Sequence, residues 1–160
     1  MSTLLPTAQP RSSNASVQTL DITLNEHIVA PVEIVWESIL ELMGPLNNFG
    51  ANTPAPMVLE AFPGGRWFRD LGEGRGNLWG HVQVIKPPTL IEITGPLFMS
   101  YAAASHVSYR LTADGPTTKL VLKHTAIGLI SDEHAGGVTQ GWGYKSQEIR
   151  ALAEGRASKR

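Results

Sequence analysis

The sequence predicts an α+β domain in which a curved antiparallel sheet wraps around one long C-terminal helix and encloses a ligand cavity. Three observations lead there. Short segments of alternating apolar and polar residues follow one another from Thr19 onward, interrupted by a single short helix after the first. Turn-forming clusters separate those segments at hairpin distances. The last thirty residues form one amphipathic helix carrying Gly141-Trp142.

Residues 1–16 are rich in Ser, Thr, Pro, Gln and Asn without period, and read as a disordered leader. From Thr19, Leu20, Ile22, Leu24 and Ile28 alternate with polar residues, as in a strand with one buried face. Glu26 falls on the apolar parity, and an end to the strand at that point is preferred over a carboxylate facing inward. Pro31 suits a first helical turn. Val32, Val35, Trp36, Ile39 and Met43 form an apolar stripe, and Gly44-Pro45 stops the helix. Residues 45–56 read as a long loop, too apolar at Leu46 and Phe49 to be a mere spacer.

Three hairpins follow. Met57–Phe62 and Arg66–Leu71 flank Pro63-Gly64-Gly65, residues 77–85 and 90–94 flank Pro87-Pro88, and residues 107–111 and 119–125 flank Asp114-Gly115-Pro116. In the last hairpin, Leu120, Leu122, His124 and Ala126 share one parity, and Val107, Tyr109 and Leu111 another. Both sets face inward only if Leu122 opposes Tyr109 and Leu120 opposes Leu111, which directs His124 inward and His106 outward. The same reasoning pairs Val82 with Ile93 and Val84 with Ile91. It leaves Trp79 on the outer face, unless the indole marks a bulge at Gly80, a covered patch or a homodimer contact. Ser131 is a helix N-cap, and Val138, Trp142, Ile149 and Leu152 mark the buried stripe of the final helix. Gly136, Gly137, Gly141 and Gly143 in its first half cost about 0.8–1 kcal/mol each against alanine. Glycine there either admits a close backbone or leaves room for a ligand.

Composition narrows the function classes. The 160 residues are 42% apolar with a net charge of −1, so a single soluble, cytoplasmic domain is expected. Without clustered cations nucleic acid is not an expected partner. The one basic cluster, Arg156, Lys159 and Arg160, reads as a flexible solubilising tail over residues 155–160. Cysteine is absent, no apolar run approaches a membrane span, and no signal peptide is expected. The five histidines show no close ligand spacing, so no metal and no cofactor are expected. Gly72-Glu73-Gly74-Arg75-Gly76 mimics part of a phosphate loop, but a strand follows it, and a hairpin turn is the better reading.

His124 has two readings: a core histidine satisfied by a neighbour, or the polar contact of a ligand and a candidate catalytic residue, with Glu26 as a conceivable acid–base partner. Trp36, Trp67, Phe68, Phe98, Tyr109 and Trp142 are the candidate aromatic lining. The apolar run Gly95–Met99 is expected at the cavity mouth or against another subunit.

In order along the chain, Ala30-Pro31 with Val35-Trp36, Pro63-Gly64-Gly65, Gly80-x-Val82 before Pro87-Pro88, Leu120 to His124, and Gly141-Trp142 form a pattern. It resembles the family of homologues of the activator of heat-shock-protein-90 ATPase, within the START and birch-pollen-allergen-like (SRPBCC) superfamily of helix-grip folds. The resemblance covers about residues 19–154. It implies a seven-stranded sheet around the C-terminal helix, an internal hydrophobic cavity bordered by His124 and Trp142, and ligands such as lipids, hormones or polyketides. Some members are cyclases. Two departures stand out: Ser146 replaces the usual leucine of Gly-Trp-x-x-x-Leu, and no counterpart is seen of the N-terminal domain by which co-chaperone members hold their partner. The expected function is carriage or sensing of a small apolar molecule through residues 17–154. A cyclase or hydratase using His124, and a protein-interaction or stress-response module, are the alternatives.

Overall fold

The computed structural model describes residues 16–50 and 53–160, so the predicted leader lies outside the described residues except for Ser16. Seven strands and two helices follow in the order β1 (Gln18–Ile28), α1 (Val32–Met43), β2 (Val58–Leu59), β3 (Arg66–Gly72), β4 (Arg75–Lys86), β5 (Leu90–Gly95), β6 (Ala103–Asp114), β7 (Thr117–Gly128) and α2 (Asp132–Ala157). All strands join one antiparallel sheet ordered β1-β7-β6-β5-β4-β3-β2. Strands β2 to β7 form a meander, while β1 crosses through α1 to lie beside β7. This is the α+β helix-grip architecture the sequence predicts.

The last hairpin adopts the expected register, with Val107 opposite His124, Tyr109 opposite Leu122 and Leu111 opposite Leu120. Burial alternates along both strands as that register requires. In the β4–β5 hairpin Val82 does oppose Ile93. Beyond it a register shift places Val84 opposite Glu92 and Ile85 opposite Ile91, so the expected pairing of Val84 with Ile91 is replaced. The first hairpin differs in length, since the strand expected over residues 57–62 pairs only at Val58 and Leu59. Around Glu73-Gly74 the chain turns in two residues, both at positive φ, between Gly72 and Arg75, which makes the glycine-rich segment a hairpin turn.

Strand β1 does not end at Glu26. It runs on to Ile28, and Glu26 keeps inward parity opposite Leu120. The carboxylate is tolerated because α2 supplies partners. Ser146, almost fully buried, donates to Glu26 Oε1 at 3.0 Å, and the Arg150 guanidinium pairs with Oε2. The serine that departs from the family pattern is thus half of a polar cross-link between helix and sheet.

Helix α1 buries the whole predicted stripe, including Val35 and Ile39. On α2, Val138, Trp142, Ser146, Ile149 and Ala153 form the buried row, and Leu152 is only partly buried. Ser131 caps α2, its Oγ accepting from the His134 N–H at 3.2 Å. The helix extends to Ala157, so Arg156 is not in a loose tail. Its guanidinium pairs with Glu41 and ties the C-terminal end of α2 to α1.

Candidate functional site

A cavity of about 910 Å³ opens between the sheet, the C-terminal half of α1 and the first half of α2. Its walls are Ile39, Leu42 and Met43 from α1, Trp67, Trp79 and Tyr109 from the sheet, Phe98 from the β5–β6 connection, and Gly137, Val138, Gly141, Trp142 and Ile149 from α2. Asn47, Asn48, Phe49, Gly50, Tyr144, Lys145, Gln147, Glu148 and Ala151 complete the lining.

The aromatic wall is a connected set of edge contacts. Trp79 meets Trp67 at a centroid separation of 4.9 Å and Phe98 at 5.5 Å, each near perpendicular. Phe98 in turn lies 6.2 Å from Trp142, and Trp142 lies 6.3 Å from Tyr109. Such edge-to-face geometry sets the positive rim of one ring against the negative face of another. The Trp67 Nε1–H donates to the Met43 carbonyl at 2.6 Å, which fixes the indole against the end of α1.

Trp79 reaches this wall because the ladder slips. Trp67 pairs with Gly80 and Phe68 with Leu78, so Trp79 is the extra residue of a bulge beside Gly80. The bulge alternative is therefore the one realised. Gly80 and Gly95 make it sterically feasible. A Cβ on Gly95 would stand 2.5 Å from the Gly80 Cα, and one on Gly80 would stand 2.5 Å from the Thr94 carbonyl oxygen. The chain then turns at once, with the Leu97 N–H donating to the Trp79 carbonyl at 2.7 Å. This folds the apolar run inward, burying Leu97 and Met99 and placing Phe98 on the cavity wall.

Of the sequence-predicted lining, Trp67, Phe98, Tyr109 and Trp142 come together on the wall; Trp36, Phe68 and His124 do not. Trp36 lies in the core, about one turn before the part of α1 that borders the cavity. Phe68 follows Trp67 directly in β3, and successive strand residues point to opposite faces. It is covered instead by the Arg66 guanidinium, 4.4 Å from its centroid.

His124 is fully buried and both ring nitrogens are occupied. Trp142 Nε1–H donates to Nδ1 at 2.9 Å, which leaves the proton on Nε2 to face Ser105 Oγ at 3.0 Å. Burial lowers its pKa to about 4, so the ring is neutral near pH 7. Glu26, committed to Ser146 and Arg150, is not its partner. His124 therefore acts on the site at one remove, by holding the Trp142 indole in place.

The polar rim was not foreseen from sequence. Asn47 is buried: its Nδ2 donates to the Ala55 carbonyl at 2.9 Å, and its Oδ1 faces Lys145 Nζ at 3.4 Å. Lys145 also pairs with Glu148 at 2.7 Å. One side chain thereby closes the loop after α1, and a second ties that loop to α2. The signal was present in Gly141, Lys145 and Glu148, which recur at helical spacing, but a Lys–Glu pair at that spacing ordinarily marks a solvated face. The four glycines of α2 meet no close backbone, since a Cβ at any of Gly136, Gly137, Gly141 or Gly143 would find no atom within 4 Å beyond its own helix. The close-backbone role is therefore not realised, and Gly137 and Gly141 border the cavity.

Among the described residues, no His, Asp and Glu cluster forms a metal site, and no helix is long and apolar enough to cross a membrane.

A curved sheet gripping a helix over an apolar cavity defines the class, a START-like helix-grip protein. Residues 29–154 match the family model of the Activator of Hsp90 ATPase homolog 1-like protein, and the chain belongs to that family. Solved structures agree in fold. An uncharacterised protein from Rhizobium leguminosarum superposes with a TM-score of 0.66 at 19% identity, covering 87% of this chain and 97% of its own. CalU16 from Micromonospora echinospora gives 0.60 at 18% identity and covers 90% of each chain. The di-domain ARO/CYC protein StfQ of the steffimycin biosynthetic pathway gives 0.61 at 13% identity, over 88% of this chain and 51% of that one. No curated protein matches the chain.

Proposed function

We propose that this protein binds one small hydrophobic, ring-containing molecule in the cavity and serves as its carrier or sensor. The observation that carries this reading is the cavity itself: about 910 Å³, walled by Trp67, Trp79, Phe98 and Trp142, with space left by Gly137 and Gly141. A volume of roughly 300–1,000 Å³ with mostly apolar walls suits a drug-sized ligand. Entry lies between Phe49 of the loop after α1 and Tyr144 of α2, both lining residues that are also exposed. The solved ARO/CYC relative keeps a cyclase or hydratase reading in view. That reading finds no base in His124, whose nitrogens are spent inside the core.

Native mass spectrometry of freshly purified protein, followed by denaturing extraction, tests the proposal. A stoichiometric small apolar species, or saturable uptake of naphthalene-type probes that quenches tryptophan fluorescence, is the expected result. A clean apo mass together with no probe uptake would sink it.

A further inference from the structure

Tyr109 brings to the cavity a hydroxyl that makes no hydrogen bond within the fold. Tyr109 is 1% exposed and lines the cavity from the middle of the sheet. Its hydroxyl has no hydrogen-bond partner among the described residues, whereas Trp142 and Trp67 donate to fixed acceptors and His124 is doubly satisfied. Among the described residues the side-chain polar atom sealed off without a partner is Arg150 Nε, so the Tyr109 hydroxyl keeps contact with open space on the cavity side. A phenol that makes no hydrogen bond within the fold, on the wall of an apolar cavity, is open to a polar atom of a ligand.

Resting on the reading of the cavity as a binding site, we infer that its ligand is a neutral aromatic ketone or quinone that enters ring first and accepts a hydrogen bond from the Tyr109 hydroxyl through a carbonyl oxygen. Three observations select this chemistry. Tyr109 stands between Ile91 and Leu122 in the sheet with the Trp142 ring 6.3 Å away, and burial pushes its pKa up, so it is a neutral donor. A carboxylate at that depth would lie unpaired, since Lys145, the one cation on the wall, stands at the rim and is already bound to Glu148. The edge-on rings of Trp79, Phe98 and Trp142 offer faces and rims to a flat molecule in place of the smooth channel a fatty acyl chain requires. A second acceptor on the ligand would meet Lys145, which stands three residues beyond Trp142 on the same helix.

The test compares three probes of one ring system, 2-acetylnaphthalene, 2-ethylnaphthalene and 2-naphthoate, by quenching of tryptophan fluorescence in the full chain and in Tyr109→Phe. In the native protein the ketone should bind tightest and the acid weakest. The Phe variant should lose about three- to tenfold in affinity for the ketone, the worth of one net hydrogen bond, and keep its affinity for the ethyl compound. Equal losses for both neutral probes would make Tyr109 a packing residue and overturn the inference while leaving the binding function intact. A naphthoate preference in the native protein would do the same. Failure of every probe would refute the binding function as well. A second readout needs no variant: the carbonyl stretch of bound 2-acetylnaphthalene should shift to lower frequency than in hexane, and an unshifted band would overturn the inference.

Discussion

Parity places His124 but leaves its task open between a core histidine satisfied by a neighbour and the polar contact of a ligand. Parity alone directs it inward opposite Val107, and the structure puts it there. What parity does not reveal is the Trp142 indole on one nitrogen and Ser105 on the other. The consequence is a pH effect on stability. Burial lowers the folded-state pKa to about 4, below the 6.5 ordinary for a histidine in the unfolded chain. The unfolded chain therefore binds the extra proton between those values. The stabilisation from the neutral ring is complete above pH 6.5 and is lost as pH falls toward 4. Protonation at Nδ1 also breaks the bond from Trp142. Melting temperature should accordingly fall across that window, and His124→Gln should flatten the slope; an equal slope in the variant would show that other groups set it.

At the scale of the element, α2 is the least self-sufficient piece of the molecule. Its interior glycines disfavour the helix, and their positions contact nothing. Gly141→Ala should therefore stabilise the protein by about 0.8–1 kcal/mol, since no neighbour opposes the methyl group. In a domain of this size that is about 2–4 °C in melting temperature. Gly141→Phe should behave differently, because its ring would project into the cavity that Gly141 borders. It should abolish naphthalene-probe uptake while the protein stays folded by circular dichroism. Retained uptake would place the binding site elsewhere. The glycines are best understood as stability given up to keep a wall thin, and the helix is held in compensation by Ser146 and Arg150 on Glu26 and by Arg156 on Glu41.

At the scale of the whole molecule, the cavity borders one hydrophobic cluster that includes residues from Leu20 to Ala153. Such a space leaves its lining short of contacts, and a ligand that fills it supplies them. Binding to the folded chain alone raises stability by about 2.7 kcal/mol at one hundred times Kd. Calorimetry with increasing 2-acetylnaphthalene should therefore show a melting temperature that climbs without plateau. A constant value at high probe concentration would mean that the probe does not bind the folded chain in preference to the unfolded one.

The sequence by itself determined the order of elements, the register of the last hairpin, the Ser131 cap and four of the cavity's aromatic residues. These follow from two-residue and helical periodicities and from local turn chemistry, all of which act over a few residues. Only the tertiary structure decided the rest. Trp79 turns inward through a bulge made possible by two glycines that meet from different strands. Glu26 remains in the sheet because a serine and an arginine more than a hundred residues away satisfy it. Phe68 faces outward because Trp67 had taken the inward position, and the phenol of Tyr109 makes no hydrogen bond among the described residues. Each of these depends on contacts between segments distant in the chain, and periodicity within one segment carries no trace of what stands opposite.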